Sequence, residues 1–344
     1  MNTAEIWLAP AEWLPPTAEK TADALAAGRV TANEADAMGY EQLPVSAGLS
    51  APQMAVRAAR GALSLAGVAA RDLSAVLHAW TYYQGHDFWS PAHFVAAETG
   101  AREAVPTGIQ QMCNGAGAAL RLAAHQLAAD PGGAPVLVTT ADRFAPPGFD
   151  RWGGDYGVWY GDGATAAVVG AGPVPEGALA LRALHTRAVP ELESAHRDVG
   201  VFHDVPHEGG AAVQVRRTKK AYFTDHGKAP FLDRLRRETS AVLAAALDEA
   251  GFGPVGPRLS AVLLPRLGRA TARDVYGPAV AEVTDAPQVD LGERTGHLGA
   301  GDLLSNLTAL AAGSGPHRLE RGQYAAVLSA GAGFTWTAVV VQRT

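Results

Sequence analysis

Short apolar runs bounded by Gly, Pro or Asp recur along the chain and predict buried strands. They are LSAVLHAW (73–80), PVLVTTAD (135–142), GATAAVVG (163–170), LSAVLLP (259–265), YAAVLSAG (324–331) and FTWTAVVVQ (334–342). Between them, apolar residues repeat at i, i+3, i+4 and i+7, which predicts helices over 50–67, 115–130, 230–251 and 301–314. Strands alternating with helices imply an α/β fold whose sheets are covered on both faces. Two stretches, 21–46 and 185–210, lack sheet periodicity and are expected to cap the core as loops that shape entry to a cleft.

The pattern also echoes itself. CNGAGAALRLAAHQL, APVLVTTAD and YGDGATAAVVG read as helix, strand, strand, and GHLGAGDLLSNLTAL, QYAAVLSAGAGF and TWTAVVVQ repeat that order. Self-similarity of this kind suggests a duplicated half-domain. The expected division is 1–172 and 173–344, with the join in the Gly/Pro-rich turn region at 170–179. In this register Cys113 and His297 stand at the heads of matching helices.

Composition narrows the class. A hydrophobic content of 48% against 18% charged residues fits a chain with a large core rather than a disordered one. The net charge of −6 offers no basic face for nucleic acid. A single cysteine excludes an internal disulfide. No basic segment precedes an apolar stretch at the N-terminus, and no run of about 18 uncharged apolar residues occurs. The expectation is a soluble, cytoplasmic protein with no signal peptide, no membrane span and no nucleic-acid partner.

Cys113 follows the strand-like segment VPTGIQQM and precedes a small-residue helix start. A thiol there faces unpaired N–H groups and the positive end of the helix dipole, which favour a thiolate nucleophile. A buried structural cysteine is the alternative. Gly115 and Gly117 would let a backbone or a slender substrate approach closely. TGHLGAGD places His297 five residues before Asp302, so a helix beginning just after the histidine would put the carboxylate one turn in. There it holds the imidazole in one tautomer, or it simply stabilises the first turn of its helix. SAGAGFTW (329–336) is a glycine-rich turn that presents a backbone N–H as half of an oxyanion hole, or is only a tight hairpin. Arg266, Arg269 and Arg273, spaced i, i+3 and i+7, would form one helical face. With Arg216 and Arg217 of VRRTKK they are candidates for docking an acidic carrier protein or a phosphate, against a reading as plain surface charge. His185, His196, His203 and His207 fall in one loop with no helix to align them, so solvated histidines rather than a metal site are expected.

The ordered set MCNGAG, YGDGATAAVVG, LLPRLGRA, TGHLGAGD and GAGFTWTAVVV resembles the ketoacyl-carrier-protein synthase III branch of the thiolase superfamily. The resemblance runs from WLPPT near the start to the last strand and includes GLSAPQMAVRAARGALSLAGVAARDLSAVLHA (48–79). It implies a thiolase-like five-layer αβαβα fold built from two pseudo-repeated halves, a homodimer, and an acyl thioester formed on Cys113. It also implies an oxyanion hole from the backbone N–H groups of Cys113 and Ala332. Phe88 in GHDFWSP falls where family members place a dimer-loop aromatic near the partner's acyl pocket.

Departures from the family pattern carry the functional expectation. Condensing members use a Cys-His-Asn triad, with the His in a PHQAN-like motif and the Asn in a GNTS-like motif. Here PRLGR puts Arg266 at the His position, and GHLGAGD puts His297 at the Asn position. Decarboxylative carbon–carbon condensation needs two neutral donors for a thioester enolate. That pair is missing, and a His-Asp couple stands in its place. A histidine held by a carboxylate suits deprotonation of an alcohol. The pattern is similar to the ester-forming, cervimycin-type malonyl or acyl transferases that decorate sugars of polyketide antibiotics. It implies an acyl donor that is acyl-CoA or phosphopantetheinyl carrier protein, no permanently bound cofactor, no metal, and a small-molecule hydroxyl acceptor. Acyl shuttling between carrier proteins, decarboxylative condensation with altered donors, and a catalytically silent scaffold are the competing expectations.

Overall fold

The computed structural model describes residues 5–130, 132–197, 202–205, 210, 212–253 and 256–344. The strands in chain order are β1 (Ile6–Trp13), β2 (Ala18–Lys20), β3 (Gln42–Pro44), β4 (Ala75–Ala79), β5 (Val105–Ile109) and β6 (Val136–Asp142). They continue with β7 (Gly163–Ala171), β8 (Leu179–Ala188), β9 (Leu259–Leu263), β10 (Gln288–Val289), β11 (Tyr324–Gly331) and β12 (Thr335–Gln342). The helices are α1 (Thr21–Ala26), α2 (Ala32–Met38), α3 (Ala51–Ala66), α4 (Pro91–Thr99) and α5 (Gly115–Ala129). After them come α6 (Val215–His226), α7 (Lys228–Glu249), α8 (Arg269–Thr271), α9 (Gly277–Ala281) and α10 (Asp302–Ala311).

All strands but β2 and β3 join one sheet in the order β10-β9-β11-β12-β8-β1-β7-β6-β4-β5. Read outward from the centre, both halves have the same plan. β1 and β7 are antiparallel, as are β7 and β6, and β4 is parallel to β6 and β5. Likewise β8 and β12 are antiparallel, as are β12 and β11, and β9 is parallel to β11 and β10. Within the sheet the halves join where Trp7 pairs Ala180 and Leu8 pairs Leu179. From this correspondence we propose that 1–172 and 173–344 are duplicated halves.

Side-chain alternation along the strands sorts the core into layers. Leu8, Val138, Val169, Val327, Val339 and Val341 face inward and pack with Leu120 of α5 and Leu303, Leu304 and Leu307 of α10. Their neighbours Ala9, Leu137 and Val168 face the other way, against α3 and α4. Ala326, Leu328, Ala338 and Val340 face α7 and α9. The result is helix, half-sheet, helix, half-sheet, helix, with α5 and α10 forming the inner layer. Every residue of β6 is buried, as a strand covered on both faces requires.

Local signals explain the helix ends. Ser50 and Gln53 form a capping box at α3, Pro52 sits in its first turn, and Gly67 closes it at φ +64. The 21–46 stretch does cover the core, but as structure rather than loop. It forms α1, α2 and β3, which pairs the preceding β2, around a cluster of Tyr40, Leu43, Trp152 and Trp159. The predicted irregular region from 185 is wrong at its start, because β8 runs to Ala188 before a 3-10 turn at Pro190–Ala195. Its sequence LALRALHTRA mixes polar residues into a half-buried strand and so lacks clean periodicity.

Candidate active site

Cys113 lies in a 3-10 turn, Met112–Asn114, between β5 and α5. Met112 adopts φ +48, a left-handed conformation that non-glycine residues rarely take, and this sharp turn leaves the half-buried thiol at a helix head. Asn114 is buried, and its amide donates to the Thr335 and Thr337 hydroxyls of β12 at 3.1 and 2.9 Å, anchoring the turn to the second half. The glycines that follow serve packing rather than substrate entry. A Cβ on Gly115 would meet Ala79 at 2.9 Å and Ala300 at 3.2 Å, and one on Gly117 would meet Thr337 Oγ1 at 2.6 Å.

His297 reaches the same place from the other half. Its N–H donates to the Trp159 carbonyl at 2.9 Å, and its carbonyl accepts from Gly161 N–H at 3.0 Å. The YGDG segment, which offered no defensible phosphate loop, thus clamps the histidine. A 3-10 turn at Gly299–Gly301 leads into α10, whose first residue is Asp302. His297 Nδ1 lies 2.5 Å from Asp302 Oδ2, while Leu298 N–H donates to Oδ1 at 2.8 Å. With Nδ1 taken by Asp302, the ring's other nitrogen is the one left for Cys113, which borders the same cavity.

Electrostatics follow from this geometry. Burial disfavours a charged ring, but the Asp302 carboxylate and the Cys113 sulfur outweigh it and hold His297 well above the ordinary imidazole range. Burial likewise opposes ionised Asp302, yet the His297 charge, their hydrogen bond and the Arg266 charge hold it below the ordinary carboxylate value. An imidazole held by a carboxylate beside a thiol has the layout of a base that can give and take one proton.

Arg266 corrects an expectation. It is buried rather than displayed for docking, and it precedes α8 instead of sharing a helical face with Arg269 and Arg273. Its backbone N–H donates to Asp302 Oδ2 at 2.9 Å, and its guanidinium donates to Asn306 at 2.9 Å and Thr295 at 3.0 Å. Its role is internal support of Asp302. Arg269 and Arg273 are largely exposed and lie near Asp36 and Asp274 at 3.6 and 2.6 Å. Arg216 spends its guanidinium on the Asp155 carbonyl and Glu34 and lies over Tyr156, whereas Arg217 is exposed on α6. Phe88 is fully exposed at φ +48, away from the cavity of this chain.

A cavity of about 620 Å³ opens over Cys113 and His297. Ala332 borders it from the β11–β12 turn, and a Cβ on the adjacent Gly331 would collide with the Asn114 amide nitrogen. That close approach brings the turn against the backbone of the Cys113 loop. The cavity also receives Tyr160, Asp155 and Tyr276, which sequence reasoning passed over, with Lys219, and with His196, which was expected to be solvated but packs on Phe334 with its Nε2 buried. Lys219 was legible only as one charge in VRRTKK, because α6 was not predicted. That helix shows its apolar face only through Tyr222 and Phe223, packed on Phe231 of α7. Among the histidines, His185 pairs with Glu249 at 2.6 Å, and His207 lies outside the described residues. No group of metal-ligating side chains occurs among the described residues. No helix among them is long and apolar enough to cross a membrane.

Comparison with known proteins adds a family. A family model described as 3-oxoacyl-[acyl-carrier-protein (ACP)] synthase III matches residues 108–187, the segment that begins just before Cys113. The acyltransferase ChlB3 is similar in structure at a TM-score of 0.86 and 27% identity, over 98% of each chain. The chain is thus similar to ketoacyl synthase III-like proteins in its overall fold and in the segment that carries Cys113. The 3-oxoacyl-[acyl-carrier-protein] synthase III of Aquifex aeolicus VF5 shares the fold at a TM-score of 0.77 and 19% identity, over 98% of this chain and 99% of that one. So does AbyA1, a tetronic acid condensing enzyme, at 0.76 and 22% over 98% and 99%. A search of curated protein sequences returns no significant match. The ketoacyl synthase III family is one of acyl transfer and condensation, and the arrangement of Cys113, His297 and Asp302 has to be read within that chemistry.

Proposed function

We propose that this ketoacyl synthase III-like protein is an acyltransferase that moves an acyl group from a carrier-protein or CoA thioester to a hydroxyl, forming an ester without a carbon–carbon bond. The observation that carries the reading is the 2.5 Å contact of His297 with Asp302 at the place where the Asn of a condensing triad is expected. The Cys113 thiolate attacks the donor carbonyl, the donor C–S bond breaks, and the leaving thiolate takes the proton held on His297. Neutral His297 then accepts the acceptor's hydroxyl proton as that oxygen attacks the acyl-cysteine. The Cys113 C–S bond breaks, and the thiolate–imidazolium pair returns. Acylation itself removes the negative sulfur that helps hold the proton on His297, so loading converts the ring from acid to base. The backbone N–H groups of Cys113 and Ala332 stabilise the oxyanion.

The same reading extends to partners. The acyl group, malonyl or another short chain, arrives on a phosphopantetheine arm, and no cofactor stays bound. Arg269, Arg273 and Arg217, with Lys220 and Lys228 at the cavity rim, form the docking face for a carrier protein. A cytoplasmic homodimer pairs through exposed β5 and Phe88, and the acceptor is a sugar hydroxyl on a polyketide-type product. Intact-mass spectrometry after mixing with malonyl-CoA tests the core of this: Cys113 gains a malonyl adduct that keeps its carboxyl, and Cys113→Ala gains none. Loss of carbon dioxide on addition of a second thioester would mark condensation instead.

A further inference from the structure

One wall of the cavity holds a polar group that acyl exchange on Cys113 does not use. Lys219 Nζ donates to Asp155 Oδ1 at 2.5 Å, and both side chains are largely buried. Tyr160 donates its hydroxyl proton to Asp155 Oδ2 at 3.0 Å, and its ring meets His297 edge-on at 5.3 Å between centroids. His196 borders the same cavity; its Nε2 is buried and has no hydrogen-bond partner among the described residues. Burial and the Lys219 charge push His196 down to about 3, so its imidazole is neutral. The polar group thus touches His297 through Tyr160 and the apolar lining through His196, whose ring meets Phe334, which packs on Phe231 and, through it, Phe223.

A buried ion pair is weak evidence for stability, because apolar residues of similar volume hold a core as well. Its chemistry is better explained by a ligand. Two of the three Lys219 N–H donors remain after Asp155 takes one, and the Tyr160 oxygen keeps its lone pairs. The Asp155 carboxylate cancels the Lys219 charge, so an anionic ligand would gain little and would face a carboxylate. A neutral ring with several hydroxyls supplies what is missing: oxygen acceptors for Lys219, hydroxyl donors for Tyr160, and an apolar face for the phenylalanines. We propose that Asp155, Lys219, Tyr160 and His196 form the acceptor subsite and recognise a neutral polyhydroxylated ring, holding one hydroxyl at His297. The inference rests on the ester-forming reading and names the part of the site that selects its acceptor.

Saturation-transfer NMR with a methyl hexopyranoside tests it without turnover, with cyclohexanol as the ring lacking the extra hydroxyls. The glycoside should give the stronger signal on the wild-type protein, and Cys113→Ala, which removes the nucleophile but no part of the subsite, should keep it. Lys219→Met should weaken binding roughly fivefold, the loss of one ligand hydrogen bond, while Lys219→Arg, which keeps the charge, retains most of it. A glycoside signal no stronger than that of cyclohexanol, or one unchanged in Lys219→Met, would overturn the proposal. Displacement of the glycoside by malonate would also overturn it, by marking an anion site. Failure of the ester reading shows elsewhere, as an acyl-Cys113 adduct that no alcohol discharges, and leaves these binding results interpretable.

Discussion

In the proposed mechanism Cys113 and His297 exchange one proton, and the neighbours of His297 decide how tightly the ring holds it. Asp302 and the sulfur draw it onto the imidazole against the cost of burial, and Arg266 helps keep Asp302 ionised. The sign has consequences. Because the folded His297 holds its proton more tightly than the unfolded residue, its stabilising contribution is full below about 6.5 and fades as pH rises through the folded value. Asp302 behaves oppositely, contributing above about 3.9 and losing that contribution as pH falls through its depressed value. Asp302→Asn removes both the charge and the tautomer control. An NMR titration should find His297 lower in the variant, and acyl transfer to an alcohol should slow by about 10²–10⁴-fold. An unmoved His297 titration would remove Asp302 from the account. Cys113, His297 and Asp302 were legible because helix-head position and an H-x4-D spacing are local properties. The fate of Arg266 was not. A basic residue in a loop reads as surface until the fold buries it against Asn306 and Thr295.

At the scale of elements, α5 shows how a packing requirement resembles a functional motif. Its GAGAAL start lies between both half-sheets, where Thr337 and Asn114 leave no room beside Gly117. Alanine would favour an isolated helix by about 1 kcal/mol over glycine. In place, Gly117→Ala should instead destabilise the protein by about 1–3 kcal/mol through overpacking, read as a lower denaturation midpoint. A midpoint that rises would mean that Thr337 yields easily and that the small residues are not required. The buried strands and the helices with clean apolar stripes were readable for the same reason that they are core. β8 and α6 were not. β8 carries polar residues along its half-exposed length, and in α6 Thr218 is buried while the other residues are half-buried or exposed.

At the scale of the molecule, the shared strand order of the two halves brings two helix heads to one point. Cys113 precedes α5 and His297 precedes α10, so each half contributes one partner of the reacting pair. The helix, strand, strand order of the sequence echo is also the order of elements following Cys113 and His297 in the two halves. The outer edge is less settled by the single chain. β5 ends the sheet with Val105 exposed, and Phe88 projects fully into solvent nearby in sequence. An exposed apolar edge strand invites pairing. Light scattering should find a dimer of the chain, and a Val105→Asp/Phe88→Asp double variant should shift it toward monomer. A wild-type monomer would remove the dimer from the account.

The exchange of one proton between His297 and an alcohol is the central claim, and a chase of the acyl-enzyme tests it directly. Protein acylated on Cys113 is isolated, mixed with an alcohol, and followed by intact mass. His297→Ala should still accept the acyl group but release it to the alcohol about 10²–10⁴-fold more slowly than the wild type. Equal discharge in both proteins, or discharge to a carrier thiol alone, would contradict ester formation.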